Sequence, residues 1–383
     1  FWGTGLGPDL ASDTGGTSGD QTAAANIRVI IDGTITLTPA YAGRSQGFPG
    51  LDQIAVFLRT TGITLSCSNL IQISAGGVLS NPVTIATSVA GSSICISEHT
   101  NSDVNPTLSE IAAWTAAGQY RTGSVGLLHT IGYINRDNGT QILTKTASYT
   151  GSFQKISGNL TAYLNSVGVI PLAGRCTVTT SVPGGPTLGF SYLDAGAAIG
   201  AAGPNGPATA VRTLNGSQLV YTSDVVSGNT VTSLPDTYIV AGHYIYSGSG
   251  GPDVGVFSGG LDLAPELTWI EAAATKVIDR TNALTVHWTG GDPNALVSIK
   301  GISTVSSTNF ASFQCFVNNA DQQFTIPKDI LAQLPASPIT GTAIQRGSLN
   351  LFSLTQARIT APSGIDYMLG TGEWSATATV QFK

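Results

Sequence analysis

Charge is what this chain most lacks. Asp, Glu, Lys and Arg make up 10% of its 383 residues, against about one quarter in an ordinary soluble domain. Catalysis, metal binding and nucleic-acid binding are carried mostly by those residue types, so their scarcity narrows the functions open to the protein. The 22 acidic and 16 basic residues leave a net charge of −6. The cations form no cluster, which argues against a nucleic-acid partner, because phosphate binding needs several grouped cations. Long apolar runs are missing too: no stretch approaches the roughly 20 residues of a membrane-spanning helix. Cysteine is confined to Cys67, Cys95, Cys176 and Cys315, without a CxxC pair or a His-spaced metal pattern. Disulfides are the expected state, Cys67 with Cys95 in neighbouring strand-like runs and Cys176 with Cys315 across a long stretch; four cysteines allow three connectivities. Methionine is reduced to Met368 and the chain begins at Phe1, the pattern expected of a mature protein whose leader has been removed.

Glycine and short apolar runs fill the space that charge leaves, with 47 Gly and 42% hydrophobic residues. Residues 1–25 carry almost no aliphatic side chain after Phe1 and Trp2, and read as an extended Gly-rich arm held by its own body or by a neighbour. From Asn26 the pattern becomes period two: Ile27, Val29 and Ile31, then Ile35 and Leu37, share one face of a half-buried strand. Similar runs recur near 54–59, 62–72, 77–88, 92–97, 123–134, 140–149 and 159–170. A helix is expected over PTLSEIAAWTAAG, with Pro106 in its first turn, Ile111 and Trp114 on one face and Gly118 at its end. A second short helix is expected at 327–334. The segment 282–301 reads as a hairpin turning at Gly290–Asn294, and 266–280 as an interdomain crossover rich in helix formers. The final run alternates Trp374, Ala376, Ala378, Val380 and Phe382 with polar residues, as a strand that must be paired within the fold or lent to a partner.

This spacing predicts an all-β protein: two or three antiparallel β-sandwich (Ig-like) domains with one or two short helices and an extended N-terminal arm. The expected parts are the arm at 1–25, an N-terminal β domain at 26–170, a sandwich at 171–267 and a C-terminal sandwich at 268–383, the last two separate or joined as one unit.

The motifs LDAGAAIGAAGPNG (193–206), LPDTYIVAG (234–242), GPDVGVFSGGLDLAPELTW (251–269), LTVHWTGGDPNALVSIKG (284–301) and FTIPKDILAQLP (324–335) occur in a recognisable order. In that order residues 175–383 resemble the C-terminal region of uncharacterised secreted β-sandwich proteins of the Acidobacteria. The resemblance implies secretion, an Ig-like β architecture and no cofactor.

No catalytic, cofactor or metal residues are nominated. Asp13-Thr14-Gly15 and Asp194-Ala195-Gly196 copy the aspartic-protease triplet, but the first lies in the arm with no strand before it and the second lacks the hydroxyl. His99, His129, His243 and His287 stand near no nucleophile signature and in no HxxxH spacing. Asp9, Asp13 and Asp20 lack the calcium-loop arrangement. Carboxylate pairs for glycoside hydrolysis would have to be Glu98 with Glu110 or Glu266 with Glu271, which read as solvated surface acids. Glycosylation sequons fall at Asn138, Asn159 and Asn215.

A chain with six Lys has little to guard its sheet edges against pairing with other chains. An extracellular structural subunit is therefore expected, assembling with copies of itself into a filament, pilus-like fibre or surface layer by strand addition or arm exchange. Its assembly candidates are Phe1 and Trp2 at the start and Trp374, Val380 and Phe382 at the end. The alternative is a secreted adhesin or carbohydrate-binding sandwich with polysaccharide as partner, and the third reading is a secreted hydrolase.

Overall fold

The computed structural model describes residues 1–3, 6, 20, 22, 25–32, 34–45, 48, 50–58, 62–63, 69–80, 83–87, 104–158, 160, 173–180, 188–227, 230–306, 309–337 and 346–383. The chain is all-β, with antiparallel pairing dominant, and divides into two compact units: Phe1–Glu98 with Gly168–Leu172, and His99–Val167 with Ala173–Lys383. Within the larger unit Gln119–Asn135 lies in parallel register beside Tyr367–Ala378 and binds the middle of the chain to its end.

In the N-terminal unit Ile27, Val29 and Ile31 are fully buried, as their alternation predicts. The run is two strands rather than one. Asp32 takes a positive φ of 51°, accepts a hydrogen bond from Leu70 N at 2.8 Å and reverses the chain, a conformation Asp tolerates better than most residues. Arg28–Ile31 and Ile35–Leu37 thus form a hairpin, and Asn69–Ala75 extends it. A second sheet runs in the order Trp2–Gly3, Asp52–Ala55, Tyr41–Arg44. Its Ala42 and Ile54 meet Ile27, Val29, Ile31, Leu37 and Ile71 in one small core, so two sheets pack face to face. The beginning of the arm is held by its own unit. The Phe1 ammonium donates to Ile54 O at 2.8 Å, and Leu6 N donates to the Asp52 carboxylate at 3.1 Å.

The larger unit is built on a fourteen-stranded sheet among the described residues. One half runs Arg175–Thr180, Phe310–Asn318, Leu296–Thr304, Gly347–Ile359, Tyr367–Phe382, Gln119–Asn135 and Gln141–Gly158. The other half, from Gln218–Thr222 to Phe257–Leu263, folds back over it: Tyr246 stacks on Tyr149 at 5.7 Å and donates its hydroxyl to Thr371 O at 2.7 Å. A three-stranded sheet of Thr268–Trp269, Leu284–Thr289 and Gln323–Ile326 adds Trp269, Val286, Trp288 and Ile326 to the same core.

The final strand alternates as its sequence requires, with Trp374, Ala376, Ala378, Val380 and Phe382 at 0–3% exposure. It is internal: Gly347–Ile359 pairs along one edge as far as Val380, and along the other Gln119–Asn135 pairs with Tyr367–Ala378 and Val277–Ile278 with Gln381 and Phe382. Trp374, Val380 and Phe382 are buried in this arrangement, so lending them to a partner would require the fold to open.

Two further expectations change. Leu284–Thr289 and Leu296–Thr304 do not pair with each other; the first belongs to the small sheet and the second to the large one. The intervening Gly290 makes this crossover at φ +79°, where a Cβ would overlap the Glu266 carbonyl oxygen. Gly290→Ala is expected to cost about 2 kcal/mol or more from backbone strain and overlap, read as a lower urea midpoint with an unchanged slope. The 266–280 segment, expected as a crossover between domains, lies inside the larger unit and forms strands at Thr268–Trp269 and Val277–Ile278. Trp269 pairs opposite Trp288 and Ile278 beside Phe382, and this tertiary pairing outweighs the helix preference of its alanines.

Helix α1 spans Leu108–Ala117 with Thr107, not Pro106, at its start: Glu110 N donates to Thr107 Oγ1 while Glu110 Oε2 accepts from Thr107 N, and Gly118 closes the helix in the left-handed region. Trp114 and Tyr120 stack at 5.1 Å beneath it. Helix α2 is confined to Lys328–Leu331. Cys176 and Cys315 sit opposite each other on adjacent strands and are disulfide-bonded. Cys67, Cys95 and the sequon Asn159 lie outside the described residues; Asn138 is an exposed turn residue and Asn215 is exposed at the end of the strand Gly206–Asn215.

Candidate interaction surface

Among the described residues, Ile54 of one sheet and Ile71 and Ile73 of the other line an apolar cleft of about 860 Å³, together with Leu6, Leu79, Val83, Phe1 and Trp2. Gly76 and Gly77, both at positive φ, turn the chain tightly enough to set Val78–Leu79 back against Asn69–Ala75. This leaves Val78 74%, Leu79 53% and Val83 49% exposed. A closed sandwich would bury such side chains. Here an edge of each sheet borders apolar surface in water, the combination that marks interaction sites and that proteins otherwise guard.

The residues with chemical potential serve structural pairs. Asp194 holds Arg212 through Oδ2, accepts from Gly196 N at 2.8 Å through Oδ1, and receives the Tyr221 hydroxyl at 3.3 Å. Its backbone N donates to Asp253 at 2.9 Å, so the Asp-Ala-Gly triplet fastens two loops together. Burial pushes the Tyr221 hydroxyl up to about 12. Asp20 accepts from Thr22 N, Thr22 Oγ1 and Ala42 N; the Thr22 hydrogen bonds hold its carboxyl below the usual value. Asp9, Asp13, Glu98 and His99 lie outside the described residues. The proposed pair Glu266 and Glu271 is divided between histidines: Glu266 faces His129 at 3.7 Å and Glu271 binds His287. His243 meets Asp262 at 2.7 Å. Among the described residues no three His, Cys, Asp or Glu side chains gather as metal ligands would.

Glu110 binds Arg358, whose guanidinium also covers the Tyr367 ring at 5.2 Å. The Arg358 hydrogen bond is the main force holding the Glu110 carboxyl down to about 2, from an ordinary 4.5. A depressed folded-state value means that this contact stabilises fully above about 4.5 and weakens as pH falls toward 2. The protection of α1 amides, taken relative to their intrinsic exchange rate at each pH, is accordingly expected to fall over that acid range, and Glu110→Gln is expected to remove the dependence.

The open cleft was not foreseen, although its signal was present: Val78, Leu79 and Val83 stand beside a Gly-Gly turn with no charged residue among them.

No protein-family model matches the chain, and no curated protein matches it. Among solved structures, one similar chain is "Dscam1 isoform 4.44, N-terminal four Ig domains", at 8% identity, with 93% of this chain and 91% of that one covered and a TM-score of 0.20. A score that low defines no common fold. The class is set by the pairing itself: an all-β protein with a disulfide-bonded C-terminal unit and an N-terminal sandwich that carries an apolar cleft.

Proposed function

We propose that the protein is an extracellular structural subunit that associates with copies of itself through its N-terminal unit, building a filament, pilus-like fibre or surface layer by strand addition or arm exchange. The observation that carries this reading is the arm's own seat. Trp2–Gly3 forms a two-residue strand on Asp52–Ala55, at the mouth of an apolar cleft. So short a pairing is easily exchanged for the same segment of another copy, which preserves every hydrogen bond while joining two molecules. The Cys176–Cys315 disulfide fits an oxidising exterior, and no helix among the described residues is long and apolar enough to cross a membrane. The low charge points the same way.

Trp2 and Gln53 are register partners, so Trp2→Cys with Gln53→Cys reports which molecule supplies the arm. Oxidised at high concentration, exchanging chains should give covalent ladders on non-reducing gels. A product that remains entirely intramolecular would contradict arm exchange.

A further inference from the structure

We infer that the outer face of the small N-terminal sheet is a binding site for a neutral saccharide. The register places Trp2 opposite Gln53 and Gln53 opposite Gly43. These positions lie side by side on one face, with Tyr41 two residues along the same strand, while Ala42 and Ile54 face the core. The connection beyond Arg44 brings Phe48 to that face and is fixed by backbone hydrogen bonds, Ser45 N to Leu51 O at 2.8 Å and Leu51 N to Phe48 O at 3.1 Å. Together Trp2, Tyr41, Phe48, Arg44, Ser45 and Gln53 line an open hollow of about 600 Å³, within the range of roughly 300–1,000 Å³ typical of small-molecule sites.

Scattered apolar side chains are ordinary on a protein surface, but this hollow is not scattered. Trp114, Trp269, Trp288 and Trp374 are 8%, 3%, 1% and 2% exposed, whereas Trp2 is 70% exposed and Phe48 63%. The chain buries every other Trp and holds this one open beside two further rings. The Tyr41 ring is oriented by its hydroxyl, which donates to Arg44 O at 2.7 Å. Rings of this kind supply rigid contact area at little entropic cost. A pyranose matches them, because its C–H face is apolar enough to stack on an aromatic ring while its rim of hydroxyls seeks amide and hydroxyl partners. Gln53 and Ser45 provide those groups. Arg44 alternates with Tyr41 and Gly43 onto the other face of the sheet, opposite Asp52, whose carboxylate it meets at 3.4 Å; its charge is engaged there, which favours an uncharged ligand over a phosphorylated or acidic one.

This site does not rest on the assembly reading, with which it shares Trp2 but neither Phe48 nor Tyr41. The test is titration of the full chain with neutral hexasaccharides of glucose, N-acetylglucosamine, xylose and mannose, followed by calorimetry and by acrylamide quenching of Trp fluorescence. At least one hexasaccharide should bind and shield Trp2 from quencher. Trp2→Ala and Phe48→Ala should each weaken binding about tenfold or more, Trp2→Phe should retain most of it, and Phe57→Ala, exposed but outside the hollow, should leave it unchanged. Phe48→Ala should leave self-association intact, separating this site from the arm. Absence of binding by all four sugars at roughly 5 mM, or binding that survives both Trp2→Ala and Phe48→Ala, would overturn the assignment.

Discussion

Replacing Cys176 and Cys315 together by alanine is expected to lower the unfolding free energy of the C-terminal unit by about 3–5 kcal/mol. The two cysteines are 139 residues apart in sequence. Cross-linking a loop of that length removes roughly 5 kcal/mol of chain entropy from the unfolded state. The site adds a local reason. Among the described residues Arg175–Thr180 stands at the edge of the large sheet and pairs with Phe310–Asn318 alone, so the covalent bond reinforces an element whose described ladder runs along one side. Both sulfurs are buried, Cys176 at 8% and Cys315 at 0% exposure, and alanine avoids placing hydroxyls in that environment. Urea unfolding should show a lower midpoint together with a somewhat steeper dependence, because the unlinked chain exposes more surface when unfolded. An unchanged midpoint would mean that the edge strand is held by packing alone.

Trp288→Ala is expected to cost about 3–5 kcal/mol, the range for truncating a large buried aromatic. The side chain is 1% exposed, and its indole N–H donates to Asn319 Oδ1 at 2.8 Å. Asn319, itself 1% exposed, donates its amide to Gly290 O at 2.8 Å. The tryptophan thus fills the core and orients the residue that fixes the crossover from the small sheet to the large one. Trp288→Phe keeps much of the apolar area but strands the Asn319 oxygen, at about 1–3 kcal/mol. Trp2→Ala, at a 70% exposed ring, should shift stability by no more than about 0.5 kcal/mol. Thermal and urea unfolding of the three variants checks this ordering; equal losses for Trp288→Ala and Trp2→Ala would contradict the assigned core.

Period-two alternation was the dependable signal in the sequence. It located the final strand residue by residue and buried Ile27, Val29 and Ile31 where the structure buries them. It did not say which strands pair. The Gly290–Asn294 stretch has the composition of a hairpin turn, yet its flanking strands belong to different sheets, because pairing partners are chosen by the whole core. For the same reason a chain-terminal strand that looked available became an internal one. The triplet at Asp194 was visible as a motif, but only the structure shows its carboxylate engaged by Arg212, Gly196 and Tyr221. Phe1 and Trp2 stood out as the arm's only bulky aromatic residues. The cleft and the aromatic hollow beside them depend on which apolar edges remain uncovered, a tertiary property that no local pattern encodes.

The account turns on the N-terminal arm, with the C-terminal strand committed to the fold. Sedimentation velocity over a rising concentration series, comparing the full chain with a form lacking residues 1–25, tests that division most directly. The expected result is concentration-dependent multimers for the full chain and folded monomers for the shortened one. A full chain that remains monomeric at high concentration, or a shortened chain that associates equally well, would contradict it.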